Sequence, residues 1–195
     1  MKRIKAKGIE VVVKEREGIT FLLISRLLWD KGIGEYAQAA ENLKKDYPEA
    51  SFQILGPFHQ SPKIIPREVL EGWTSQGFIQ YLGETKDVRD YIKESSVFVL
   101  PTYYREGVPR SILEAMSMEK PIITTHRPGC RETVVDGENG FLIPPKDAQA
   151  LEDAMEYFLK HPETIQGMGR RSRQIVAEKF DVRKVNATIL ETMGL

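Results

Sequence analysis

The chain has 195 residues, 41% of them hydrophobic, which is one domain of ordinary size with enough apolar material for a core. Twenty-eight Lys and Arg balance 28 Asp and Glu, so the net charge is zero, whereas a nucleic-acid binder usually shows a basic excess. No apolar run approaches the ~20 residues that span a bilayer. Cys130 is the single cysteine, which rules out an internal disulfide and fits a reducing, cytoplasmic compartment. Three scattered histidines give no metal-binding spacing.

Residues 1–18 are charged and irregular and read as a linker or the remnant of an upstream segment. Ile9-Glu10-Val11-Val12-Val13 within them is either a short strand or part of that linker. The basic start is followed by no apolar signal core. Thr20-Phe21-Leu22-Leu23-Ile24-Ser25 is a continuous apolar run, as in a strand buried on both faces. Ile33, Tyr36, Ala37, Ala40 and Leu43 then recur at helical spacing across residues 32–45. Residues 52–56 form the next strand. Residues 57–66 are a proline-containing loop and residues 67–74 a short helix. Residues 78–83 read as a strand, and Asp87 caps a helix over residues 88–94. Val97-Phe98-Val99-Leu100 is a buried strand, followed by a turn and a helix over residues 111–118.

Residues 121–125 form a further strand. Residues 131–135 read as one helical turn closed by Asp136-Gly137. Residues 140–143 are the final strand, stopped by Pro144-Pro145. Asp147 opens a helix whose face carries Leu151, Ala154, Met155, Phe158 and Leu159, and two more helical patterns cover residues 164–179 and 182–193. Strands alternating with helices over residues 20–160 imply α/β architecture: a Rossmann-like parallel sheet with helices on both faces. The domain is expected over residues 19–180, with residues 181–195 as a C-terminal helix.

Ligands of an open α/β sheet bind outside the carboxyl ends of its strands, so the strand-to-helix loops hold the candidate site. In the loop after the strand ending at Leu100, Glu106 precedes Gly107, Val108, Pro109 and Arg110, and Glu114 follows in the helix. A carboxylate can accept hydrogen bonds from vicinal sugar hydroxyls. Gly107 allows close approach to the backbone, the amides of Gly107 and Val108 are donors, and Pro109 stiffens the turn. Glu114 suits a ribose diol. The alternative is a solvated Glu106, with Glu114 merely favouring the helix N-terminus through its dipole. Arg26 and Lys31 lie in the loop before residues 32–45 and make a diphosphate clamp that would stabilise a departing nucleoside diphosphate. Two solvated surface cations, with Asp30 as a helix cap, are the alternative.

Glu132 and Arg131 either reach the crevice or serve as cap and turn residues, and Asp136-Gly137 and Asn139-Gly140 as strong turn formers favour the second. Cys130 reads as a small buried side chain. His126 has no acid/base partner nearby in the sequence. On their own, the two acids also fit paired-carboxylate glycosidase chemistry; with Arg26 and Lys31 they read better as handles on the sugar and ribose ends of one donor.

Four ordered motifs carry a resemblance: Arg26-x4-Lys31-Gly32, Glu106-Gly-Val-Pro-Arg-x3-Glu114-Ala, Lys120-Pro121-Ile-Ile, and Asp136-Gly-x-Asn-Gly-Phe-Leu. Together they resemble the carboxyl-terminal half of glycosyltransferase family 4, retaining and metal-independent enzymes of the GT-B fold. The likeness runs over residues 20–180. It implies that Arg26 and Lys31 bind the donor diphosphate and that Glu106, Gly107 and Val108 contact the transferred sugar. It further implies that Glu114 holds the ribose and that the loop at Leu82 and Gly83 lies near the base. The wording Arg-Leu-Leu-Trp-Asp-Lys-Gly and Gly-Cys-Arg-Glu-Thr-Val is similar to bacterial capsule, O-antigen and lipid-linked glycan enzymes. That implies a UDP-sugar donor, no cofactor, and a glycan or polyprenyl-diphosphate-linked acceptor. It also implies cytoplasmic placement, peripheral at the inner face of the membrane.

Such enzymes carry a first domain for the acceptor that residues 1–18 cannot supply. The chain is then expected to be the donor domain alone, a truncated frame or half of a split enzyme, with little turnover by itself. A non-catalytic nucleotide-sugar-binding module and a sugar-nucleotide epimerase are the competing readings.

Overall fold

In a computed structural model, residues 18–105, 107–183 and 190–192 are described in full, and residues 2–6 and 9–13 by their backbone. Strands β1 (Lys2–Ala6) and β2 (Ile9–Val13) pair antiparallel as a two-stranded sheet, so the strand reading of residues 9–13 is the one that holds.

The body is a six-stranded sheet of β3 (Thr20–Ile24), β4 (Ser51–Leu55), β5 (Gln80–Tyr81), β6 (Val97–Leu100), β7 (Ile122–Thr125) and β8 (Gly140–Ile143). All pairings are parallel, in the order β5-β4-β3-β6-β7-β8. Among the described residues, α-helices α1 (Ile33–Asp46), α2 (Arg67–Ser75), α3 (Arg89–Glu94), α4 (Arg110–Ser117), α5 (Ala148–Lys160) and α6 (Thr164–Lys179) connect or flank them. Residues 182–183 and 190–192 are also helical; those between lie outside the described residues.

Successive strand side chains point to opposite faces, and the sheet is covered on both. Phe21, Leu23, Phe52, Ile54, Val97 and Val99 pack with α1, α2 and α5 on one side. Leu22, Ile24, Leu55, Phe98 and Leu100 pack with α3, α4 and α6 on the other. This is why the central strands read as unbroken apolar runs rather than alternating ones. Phe21 stacks on Phe52 at 5.4 Å, and the buried Tyr36 hydroxyl donates to the carbonyl of Phe21 at 3.0 Å.

Two expectations are corrected. Residues 131–135 form no helical turn; hydrogen-bonded turns run from Arg127 to Thr133 and stop. Buried Asn139 explains the stop: its Oδ1 accepts from the Val135 amide at 2.7 Å and its Nδ2 donates to the Thr133 carbonyl at 3.1 Å, occupying groups a helix would use. The strand expected over residues 78–83 shrinks to β5. It is an edge strand paired only to β4, and it is bracketed by Gly77 and Gly83, both at positive φ. The other strands and helices that lie wholly within the described residues stand within a residue or two of their expected limits. Asp87 does accept from the Arg89 amide at the start of α3, at 3.1 Å, and Asp147 from the Ala150 amide at the start of α5, at 2.9 Å.

Candidate functional site

The chain leaves β3 toward β4 and β5 on one side and returns to β6, β7 and β8 on the other. The switch point therefore lies between the carboxyl ends of β3 and β6. A crevice of about 740 Å³ opens there, lined by Ser25, Arg26 and Lys31 after β3, Gly56 and Pro57 after β4, Thr85 and Val88 before α3, and residues 107–111 and 114 after β6. The volume falls within the range of small-molecule sites, about 300–1,000 Å³.

Two loops are stitched together to make it. The carbonyl of Asp30 accepts from the amides of Tyr103 and Tyr104, at 3.0 and 3.1 Å, and from the Thr102 hydroxyl at 3.2 Å. Gly32 sits at φ 75°, so close that a Cβ there would lie 2.1 Å from the carbonyl oxygen of Pro101. A glycine is also required at Gly56, where a Cβ would meet the Ser25 carbonyl at 1.8 Å. Thr125 donates its hydroxyl to the Thr102 carbonyl at 2.5 Å, which ties the end of β7 into the same assembly.

The charge of the lining suits an anion. Among the described residues, Arg26, Lys31 and Arg110 face it with one carboxylate, Glu114. Arg26 is exposed. Lys31 is only 5% exposed, with its ammonium 4.9 Å over the Tyr104 ring; a cation withdrawn from water attracts an opposite charge more strongly than an exposed one. Helix α4 begins at the crevice, and its N-cap Pro109 makes no side-chain cap. The first bonds inside the helix are those of Ile112 and Leu113 to the Pro109 carbonyl, which leaves the Arg110 and Ser111 amides without an intrahelical acceptor. Such amides, at the positive end of the helix dipole, bind phosphate. Glu114 lies in the second turn, half-buried, with Oε1 4.0 Å from Arg110, a contact too long and exposed to hold it.

Of the residues singled out from sequence, Arg26, Lys31, Gly107, Val108, Pro109, Arg110 and Glu114 converge on this crevice. Glu106 lies outside the described residues. Leu82 and Gly83 are not among the lining residues: Leu82 packs against the core, and Gly83 reaches the crevice only through its carbonyl, which accepts from the Gly56 amide at 2.8 Å. Asp30 caps no helix; its buried carboxylate pairs with Lys63 at 3.0 Å. Cys130 is a buried core side chain, as expected. Glu132 accepts from the Gly129 amide and pairs with Arg131, a turn role as expected. Ser25, Gly56, Pro57, Thr85, Val88 and Ser111 were missed. Gly56, directly after an apolar strand, carried a usable signal.

Fold and geometry thus define a Rossmann-like α/β domain with a crevice at its switch point, lined by Arg26, Lys31 and Arg110. The sequence pattern of the family described as Glycosyl transferases group 1 matches residues 5–175. The chain belongs to that family. It is 32% identical over 139 residues to the N,N'-diacetylbacillosaminyl-diphospho-undecaprenol alpha-1,3-N-acetylgalactosaminyltransferase of Campylobacter jejuni, covering 71% of this chain and 35% of that protein. It is 27% identical to the capsular polysaccharide biosynthesis glycosyltransferase CapM of Staphylococcus aureus, covering 80% of this chain and 41% of the relative. Anabaena Alr3699/HepE, solved in complex with UDP, shares the fold with a TM-score of 0.81 at 23% identity, over 91% of this chain and 49% of that one. Its GT-B architecture matches the expectation from the motifs. The chain spans about a third to a half of the length of these proteins. Among the described residues no helix is long and apolar enough to cross a membrane.

Proposed function

We propose that the chain is the donor-binding half of a retaining glycosyltransferase. It would take a hexose or N-acetylhexosamine from a UDP-sugar for transfer to a saccharide or polyprenyl-diphosphate-linked acceptor in cell-surface glycan assembly. The observation that carries this reading is the convergence of Arg26, Lys31 and the free amides of α4 on one crevice, with Glu114 at its side. Family membership and a relative whose name specifies a diphospho-undecaprenol acceptor support it.

In this reading the diphosphate lies between the Arg26–Lys31 loop and the start of α4. When the bond from the anomeric carbon to the β-phosphate oxygen breaks, its electrons stay on that oxygen. The two cations and the helix amides stabilise the growing charge, as preorganised dipoles do best. No resident metal is invoked, in keeping with the metal-independent enzymes the motifs resemble. Glu114 holds the ribose and Glu106 the sugar. The acceptor side comes from a partner domain, in the same polypeptide or a separate one, at the inner face of the membrane. A non-catalytic nucleotide-sugar-binding module is the second reading, since every crevice residue serves the donor.

A thermal-shift screen of UDP-, GDP- and ADP-sugars tests the proposal. A nucleotide at 100 times its Kd adds about 2.7 kcal/mol to stability, which raises the melting temperature by roughly 5–10 °C for a chain of this size. The UDP series is expected to give that shift. No response to any nucleotide at millimolar levels would refute both readings.

A further inference from the structure

A separate cavity of about 320 Å³ lies between α2 and the end of β5. Arg67, Leu70, Glu71, Thr74 and Ser75 of α2 line one side, and Phe58 and Tyr81 the other. These side chains all come from residues 58–81, a stretch described throughout. The α2 residues recur at three- and four-residue intervals, which puts them on one face of the helix. Phe58 meets Tyr81 edge to face at 5.9 Å, and with Leu70 they supply the apolar part of the lining. The cavity shares none of these residues with the donor crevice.

The polar groups are specific in kind. The Arg67 guanidinium lies 4.3 Å over the Phe58 ring. Stacking engages its flat face and leaves the in-plane N–H donors available. Glu71 follows one turn later as an exposed carboxylate. Neither has an ion-pair partner within 4.0 Å among the described residues. Three hydroxyls spend their protons on backbone: Thr74 donates to the Leu70 carbonyl, Ser75 to that of Gly72 and Tyr81 to that of Gly56, each at 2.9 Å. Their oxygens are left as acceptors. The cavity thus offers a cationic donor at one end of α2, acceptors along its next two turns, and an aromatic wall opposite.

We infer that this cavity binds a saccharide, at a site apart from the donor crevice. Sugar hydroxyls both donate and accept, so one ring can donate to Glu71, Thr74 and Ser75 while accepting from Arg67. Its C–H face suits the apolar wall of Phe58, Tyr81 and Leu70. A phosphate or carboxylate brings no proton for the acceptors and is repelled by Glu71; a simple amine is repelled by Arg67. The volume lies at the lower end of the range for small-molecule sites, about 300–1,000 Å³, which suits a mono- or disaccharide. A free sugar and the end of a longer glycan present the same hydroxyls. The inference does not depend on how the donor crevice is read, although Tyr81 joins the two: Gly56, which takes its hydroxyl bond, lines that crevice.

The test records amide NMR shifts of the chain in excess UDP while methyl α-glucoside, N-acetylglucosamine, cellobiose and chitobiose are added separately. UDP-induced shifts at Gly107 and Val108 report on the donor reading by themselves. At least one of the sugars is expected to shift the amides of Leu70, Glu71, Thr74, Ser75 and Tyr81, saturably at millimolar concentration. Tighter binding of a disaccharide than of its own ring identifies a glycan chain as the source, and equal binding a free sugar. Arg67→Ala and Glu71→Ala are each expected to weaken the sugar by about tenfold, from the loss of a charge-assisted hydrogen bond. Both positions are exposed, so the variants should melt at the parent temperature and keep the parent's response to UDP. No saturable shift at these amides with any of the sugars, or equal sugar affinity in parent and variants, would overturn the inference.

Discussion

Replacing Gly32 with alanine probes the junction on which the crevice depends. Gly32 is left-handed at φ 75°, and its added Cβ would lie 2.1 Å from the Pro101 carbonyl oxygen and 2.7 Å from its carbon. Ordinary contact begins near 3.4 Å, so the loop after β6 must retreat by about 1 Å. The left-handed conformation costs alanine about 1–2 kcal/mol. Overpacking against fixed backbone adds about 1–3 kcal/mol. The variant should therefore lose roughly 2–5 kcal/mol, a large part of the ~5–15 kcal/mol that holds a domain folded. The damage is also directed at function. The Asp30 carbonyl, two residues before Gly32, anchors the Tyr103 and Tyr104 amides, and the same loop presents Lys31. Separating the loops moves Lys31 away from Gly107 and the start of α4. Urea denaturation should show the stability loss, and calorimetry should show weaker UDP binding in the protein that remains folded. Stability within about 0.5 kcal/mol of the parent, with unchanged UDP affinity, would refute the claim that this contact builds the crevice.

Gly72 makes the opposite case: it lies inside α2, and a Cβ there meets nothing within 4 Å, so Gly72→Ala should stabilise by about 0.5–1 kcal/mol in the same urea assay. Asn139→Ala should cost about 2–4 kcal/mol, because it strands the Val135 amide and the Thr133 carbonyl behind a buried position. Hydrogen bonds from the Arg89 side chain hold the Asp87 carboxyl at about 2, below its ordinary 3.8. The stabilisation from that depressed group is present above about pH 4 and is lost as pH falls through 2. A carboxyl NMR titration of Asp87 should return toward 3.8 in Arg89→Ala, and an unmoved midpoint would refute the pairing.

The sequence disclosed what depends on short-range pattern. β3 and β6 were legible because strands covered on both faces lose their alternation and become continuous apolar runs. The helices were legible because one face of each is apolar at helical spacing. The crevice was legible in outline because Arg26, Lys31 and Gly107 occupy strand-to-helix loops, with Glu114 in the second turn of α4, and parallel topology brings the carboxyl ends of the strands to one edge. What failed depends on partners distant in sequence. Asn139 ends the turns after β7 from several residues downstream, and nothing local to residues 131–135 announces it. Asp30 reads as a helix cap by type and position, yet Lys63, thirty-three residues on, takes its carboxylate.

The central claim, that the crevice between β3 and β6 is built for a nucleoside diphosphate, is tested most directly by titrating UDP into the chain and into Arg26→Ala and Lys31→Ala. One UDP per chain is expected, with about tenfold or greater weakening in each variant from the loss of a charge-assisted contact to phosphate. Arg26 is exposed, so its variant should melt at the parent temperature when no nucleotide is present. No heat of binding from the folded parent at millimolar UDP, or equal affinity in all three proteins, would contradict the claim.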